Sequence, residues 1–288
     1  LLLSNYYYSL SSNYQTSFYG QVSSEKIGKK LKKEFFLPSY EKNGSVTDFE
    51  KNDIFRLAVI FEDANEQELS RRFFTHFAEK LNETEHLKLT NFLAELRNDY
   101  IALVLSKQAA RSGRIYPKTY FPLHEMTSLS LKVAPEIALA VARRESEFNS
   151  EAISRAGARG LMQLMPNTAK KVAHDLNLKY SLNRLNSDWQ YNVELGSEYL
   201  NFLLRKYDGS FLLALGAYNA GPSRVDGWIK KYGDPRQKSV NYIDWIEHIP
   251  FNETRNYVMR VMEAILIYRL KLNYKSPQAV KIELYFKK

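Results

Sequence analysis

At 288 residues the chain has room for one or two domains and a sizeable core. It holds no cysteine, which excludes a disulfide scaffold, a thiolate metal site and a thiol nucleophile. Forty-one basic residues against 32 acidic ones leave a net charge of +9, a field suited to an anionic polymer: nucleic acid, anionic lipid and bacterial wall all qualify. Glycine and proline are scarce and 44% of the residues are hydrophobic, the balance of a globular, helical chain.

No apolar run approaches the ~18 residues that a spanning helix needs, the stretch 137–142 being among the best. The start, Leu1-Leu2-Leu3-Ser4, has neither a methionine nor a basic flank and is expected to be a processed or trimmed end. Residues 1 to about 35 are aromatic and polar, and a basic helical stretch is expected from Glu25 to Phe36. Residues 1–40 read as the end of a larger helical array. After a turn-rich break at Pro38, Ser39, Asn43, Gly44 and Ser45, the pair Thr47-Asp48 offers a helix cap. Helical spacing then runs to about Ala110, with Ile54, Leu57, Ala58 and Phe61 on one stripe and Leu69, Phe73, Phe77 and Leu81 on another. These stripes predict packing for residues 41–114. Ser112, Gly113 and Pro117 mark a linker, and residues 115–288 form a second helical region with loop signals at 157–160 and 219–222. The tail from Lys275 is rich in β-branched and aromatic residues and predicts a short strand or extended arm.

Within that region Pro135 suits the first turn of a helix and Glu136 its positive end. The helix is expected to run to about Phe148. Ala138, Val141, Ala142 and Glu145 fall at i, i+3, i+4 and i+7, so a carboxylate projects from a stripe of small apolar residues. Burial there raises a carboxyl pKa toward neutrality, as a general acid requires; a structural ion pair of Glu145 with Arg144 or Arg155 is the alternative.

Four motifs follow in order. Glu145-Ser146 precedes Ser154 and the run Ala156-Gly157-Ala158-Arg159-Gly160-Leu161-Met162-Gln163-Leu164-Met165-Pro166. Later come Ala217-Tyr218-Asn219-Ala220-Gly221-Pro222 and Glu253-Thr254-Arg255-Asn256-Tyr257-Val258. Any one alone is weak; together, in this order and spacing, they resemble the soluble lytic murein transglycosylase family. Thr16-Ser17-Phe18-Tyr19 with Ile27-Gly28 resembles the segment that closes the family's superhelical domain, and residues 45–110 would match its helical linker. Ser150 departs from the alanine or proline more usual there, in a loop where it casts little doubt on the chemistry.

The resemblance implies an all-α protein in which a superhelix end and a linker domain precede a lysozyme-like catalytic domain. It implies cleavage of the β-1,4 bond between N-acetylmuramic acid and N-acetylglucosamine, with no cofactor or metal and with a 1,6-anhydro product. Glu145 would act as the acid and then as the base, and the substrate's acetamido oxygen would stand in for a second carboxylate. Gln163 and Met165 resemble groove positions, one donating hydrogen bonds and one giving apolar contact, with loop packing as the alternative. Ser154 resembles a serine near the acetamido or carboxyl group, and Tyr218 and Asn219 would face the cleft. Glu253 and Tyr257, four apart on a helix starting near Thr254, share a face; Glu253 either binds substrate or buttresses the site through Arg255 or a backbone N–H. Ser146, Met162 and Leu164 are expected to be structural, and Trp189, Trp228 and Trp245 to be packing anchors.

A hydrolytic lysozyme and a non-catalytic wall-binding module are the competing readings. Nucleic acid is not an expected partner, because the basic residues are scattered and no recognition motif is present. The five histidines lack ligand spacing. The expected partners are peptidoglycan glycan strands and, as candidates, cell-wall synthesis proteins. The location that such a substrate implies is the periplasm.

Overall fold

A computed structural model describes residues 2–35 and 46–273. The tail expected as a strand lies outside them. The helices in chain order are α1 (Leu2–Ser11), α2 (Phe18–Lys26), α3 (Asp53–Asp63), α4 (Gln67–Ala78), α5 (Glu83–Glu95), α6 (Asp99–Ala110), α7 (Pro117–Tyr120) and α8 (Pro135–Glu145). They continue with α9 (Pro166–Asp175), α10 (Arg184–Ser187), α11 (Trp189–Lys206), α12 (Phe211–Ala220), α13 (Pro222–Tyr232), α14 (Tyr242–Glu247) and α15 (Asn252–Leu272). Among the described residues the only β pairing is two isolated bridges, Ile153 with Arg159 and Arg159 with Leu164, so the protein is all-α. No described helix is long and apolar enough to cross a membrane. The chain divides into two compact units, Leu37–His124 and the combination of Leu1–Phe36 with Glu125–Lys288.

The first of these units is built on aromatic packing. Phe49, Phe55, Phe74 and Phe77 meet edge to face, with Phe49 at 5.5 Å from Phe55 and 5.1 Å from Phe77, and Leu89, Leu93, Ile101 and Leu105 close the core. The α3 stripe is therefore rotated from the expected one: Phe55 and Ala58 are buried, whereas Leu57 is exposed. Asparagines cap the starts of α3, α5 and α6. Asn52 accepts from the N–H groups of Ile54 and Phe55, and Asn82 with Glu85 forms a reciprocal capping box. Thr47-Asp48 caps no α-helix; a short 3-10 turn at Phe49–Lys51 follows it, and Asn52 takes the role instead.

In the other unit, α8 packs along α15, α15 along α12, and α12 along α11. Residues 212–217 of α12 are buried on every side, as befits a central helix. Pro135 sits at the start of α8, and Glu136 in its first turn pairs with Arg269 of α15 at 2.9 Å. The amino-terminal segment joins this unit through α2. The Phe18 N–H donates to the buried Glu263 carboxylate at 2.7 Å, and the Gln21 amide donates to the Glu263 carbonyl at 2.9 Å. Here α2 ends at Lys26 and only a short 3-10 turn follows at Lys33–Phe35, so the helix expected from Glu25 to Phe36 is not formed. Gly28, at φ +67°, breaks it.

Candidate active site

Glu145 is the last residue of α8, three residues earlier than the expected end of the helix. Glu147 and Phe148 turn left-handed at φ 57° and 69°, which no helix tolerates. Ser146 fixes this exit: its N–H reaches the Ala142 carbonyl at 3.1 Å and its hydroxyl donates to the Leu161 carbonyl at 2.8 Å. Ala138, Val141 and Ala142 are fully buried, and Glu145 at the end of their stripe is half-buried. Burial pushes its carboxyl from 4.5 up to about 7; the Tyr257 hydroxyl and the Arg144 charge pull the other way, and the nearby Glu253 carboxylate adds to the rise. The negative end of the α8 dipole also disfavours the carboxylate. Glu145 forms no ion pair among the described residues, so pairing with Arg144 or Arg155 is not what holds it.

Two tyrosines face this carboxyl. The hydroxyl of Tyr257, on α15, is buried without a hydrogen bond of ordinary geometry, and burial and then the Glu145 charge hold it neutral. Tyr218, on α12, donates to the Met162 carbonyl at 2.7 Å and is kept protonated by burial, Glu145 and Tyr199. A carboxyl poised near neutrality is thus set beside two phenols that stay protonated.

The loop from Asn149 to Met165 curls over the end of α8 on a frame of side chains. Asn192, fully buried on α11, accepts from the Met162 N–H at 2.8 Å and donates to the carbonyls of Arg159 (2.9 Å) and Leu185 (3.0 Å). Gly160 has φ +73°, and a Cβ there would lie 2.2 Å from the Leu185 carbonyl oxygen. Met162 packs on Gly196, and Met162 and Leu164 are buried as expected. Ser154 is exposed, with its hydroxyl accepting from the Ala158 N–H at 3.0 Å. The Gln163 amide donates to the loop itself, to the carbonyls of Ala152 at 3.0 Å and Gly160 at 2.9 Å. What remains for a ligand is its acceptor oxygen. Met165 is exposed just before the proline that opens α9.

Opposite this loop, α12 turns into α13 at Gly221, whose φ of 90° requires glycine, with Pro222 next. Asn219 is oriented by the buried Thr254 hydroxyl, which donates to its carbonyl oxygen at 2.7 Å and leaves the Asn219 amide N–H groups unused among the described residues. Glu253 is exposed and unpaired among the described residues, while Arg255 turns to Glu247 and Asn252 instead. α15 itself starts at Asn252, two residues before the expected point. Glu145, Tyr218, Tyr257 and Glu253 therefore share one electrostatic neighbourhood, and Asn219 is tied to it by Thr254. Ser154, Gln163 and Met165 belong to the covering loop. Sequence reasoning missed Asn192 and Thr254. Asn192 carried a readable signal, since it sits on the stripe of Leu195, Gly196 and Tyr199 as Glu145 sits on its own.

The all-α fold and the half-buried glutamate at a helix end are the features expected of a lysozyme-like domain. Residues 123–241 match the family described as "Transglycosylase SLT domain". The chain is similar to a putative soluble lytic murein transglycosylase of Haemophilus influenzae, 35% identical over 162 residues that make up 56% of this chain and 27% of the relative. Among solved structures it is similar to the lytic transglycosylase Slt of Pseudomonas aeruginosa, an inactive glutamate-to-glutamine mutant, at 28% identity and a TM-score of 0.78 over 94% of this chain and 44% of that one. The 70 kDa soluble lytic transglycosylase of Escherichia coli shares the fold, with a TM-score of 0.77 at 23% identity over 89% of this chain and 41% of that one. The chain thus spans about a quarter of the length of the soluble lytic murein transglycosylases it matches.

Proposed function

We propose that this chain cleaves the β-1,4 bond between N-acetylmuramic acid and N-acetylglucosamine in peptidoglycan by transglycosylation, leaving 1,6-anhydro ends. The observation that carries the reading is the Glu145 carboxyl, with a pKa near 7, on an apolar stripe beside Tyr257 and Tyr218. Protonated, it delivers its proton to the bridging oxygen as the bond breaks through an oxocarbenium-like state. Ionised, it removes the proton from the muramyl C6 hydroxyl, which closes onto C1. The same group serves both halves because its pKa lies near the working pH. Tyr257 stabilises the ionised form, and the Asn219 amide and the Gln163 oxygen remain open to the sugar's polar groups. Ser154, Met165 and Glu253 complete the substrate-facing set, Met165 by apolar contact. That a glutamate-to-glutamine change marks the inactive Pseudomonas relative supports assigning the chemistry to a glutamate. A peptidoglycan substrate supports a location outside the cytoplasmic membrane, which this reading takes to be the periplasm.

Glu253 favours one competing reading, since a second carboxylate near Glu145 is what a hydrolytic mechanism would use. Product mass separates the two. Digestion of purified peptidoglycan should yield anhydro muropeptides from the parent and none from Glu145→Gln. Products about 18 Da heavier would mean hydrolysis. Wall binding without any release would mean a binding module.

A further inference from the structure

An aromatic path leads away from Glu145 toward solvent. Tyr218, next to the carboxyl, has its ring centroid 5.5 Å from that of Tyr199 on α11. One turn further along α11, Phe202 lies 6.4 Å from Tyr199 with the two rings only 16° from parallel. The three rings grade from half-buried to open: Phe202 keeps 43% of its surface exposed. Lys171 of α9 holds its ammonium 5.7 Å from the Phe202 centroid and makes no ion pair or hydrogen bond among the described residues. The Tyr199 hydroxyl is likewise without a hydrogen-bond partner among them. Packing alone accounts for Tyr199 and Tyr218, which lie against the cluster of Leu164, Ala169 and Leu195, but not for an exposed phenylalanine under an unpaired cation. A flat apolar face, a free hydroxyl and an anion-seeking charge in one row suit a pyranose ring that carries an acidic substituent.

Building on the transglycosylase reading, we propose that Phe202, Tyr199 and Lys171 form a further saccharide subsite. It takes a peptide-bearing sugar of the strand, with its ring stacked on Phe202, a polar group on the Tyr199 hydroxyl and a stem-peptide carboxylate at Lys171. The subsite lies on two helices, α9 and α11.

The test measures binding calorimetrically on the full chain in a Glu145→Gln background, with chitohexaose as the uncharged ligand and solubilised peptide-bearing strands as the charged one. Phe202→Ala should raise Kd for both by about three- to tenfold, the range expected for one aromatic platform. Phe202→Trp should preserve affinity. Lys171→Gln should weaken the strands about threefold and leave chitohexaose unchanged. Kd values for Phe202→Ala within twofold of the parent for both ligands would overturn the subsite, as would an unfolding midpoint, followed by tryptophan fluorescence, that falls in step with the affinity. Equal effects of Lys171→Gln on both ligands would overturn the carboxylate assignment. Binding of both ligands in this background, together with no anhydro product from peptidoglycan digested by the chain that keeps Glu145, would refute the transglycosylase reading and leave the platform standing.

Discussion

Glu145 should make the protein less stable as the pH rises, and replacing it should remove that loss. Its carboxyl moves from 4.5 to about 7 on folding, chiefly through burial, so between those values the folded state binds a proton that the unfolded state has released. Unfolding stability therefore falls with rising pH across that window and levels off above it. At about 1.4 kcal/mol per pH unit the full loss is on the order of 3 kcal/mol, and partial solvent access to the half-buried side chain brings the expectation to roughly 1–3 kcal/mol. Glu145→Gln keeps the shape and drops the charge. The two chains should match in stability near pH 4.5, and the variant should lead by that margin at pH 8. The three tryptophans, Trp189, Trp228 and Trp245, all lie in the unit that holds Glu145, so denaturant unfolding followed by their fluorescence reports on that unit. A stability difference that is flat from pH 4.5 to 8, or a parent that gains on the variant as pH rises, would refute a desolvated carboxyl. The same group should set the alkaline limb of kcat/KM near pH 7, with activity lost as the acid ionises.

Neighbouring changes should move that limb in opposite directions. Tyr257→Phe removes the group that favours the charged carboxyl and should shift the limb to higher pH, whereas Glu253→Gln removes a like charge and should shift it lower; pH–rate profiles of the two variants check the signs. Gly160→Ala should cost about 2–4 kcal/mol, because its Cβ would meet the Leu185 carbonyl at 2.2 Å and its φ is +73°; a stability within 0.5 kcal/mol of the parent, by the same fluorescence titration, would contradict the geometry. Asn192→Leu should destabilise by about 2–4 kcal/mol and raise protease cleavage within 149–165, since it strands one N–H and two carbonyls of the loop frame.

Local rules carried the sequence reading a long way at α8, where proline opened the helix, the small-residue stripe turned inward and one carboxylate lay on it. They missed the end of that helix because Glu147 and Phe148 turn left-handed without a glycine to announce it. The buried readings of Ser146, Met162, Leu164, Trp228 and Trp245 hold, each resting on patterns within one segment. Gln163 shows the limit of such patterns: its place beside the site was legible, but the direction of its amide depends on carbonyls of its own loop. Tyr257 shows another, since spacing put it on a face with Glu253 while packing buries it and leaves Glu253 in solvent. The joining of α2 to α15 had no local signature at all. Phe18 and Glu263 are 245 positions apart, and only the folded chain makes one the cap of the other.

That pairing bears on how the chain comes to be folded as it leaves the ribosome. The unit 37–124 is continuous and rich in near-neighbour contacts, so it can form as soon as it emerges. The segment ahead of it has to wait: the Phe18 N–H and the Gln21 amide meet their partner only when α15 has been made, more than 200 residues later. The half-built site unit must therefore persist with the amino-terminal face of α2 unsatisfied, and closing so long a loop makes this docking a slow, late step. Of the described helices α15 is made last, and it completes both the neighbourhood of Glu145, through Tyr257, and the seat of α2.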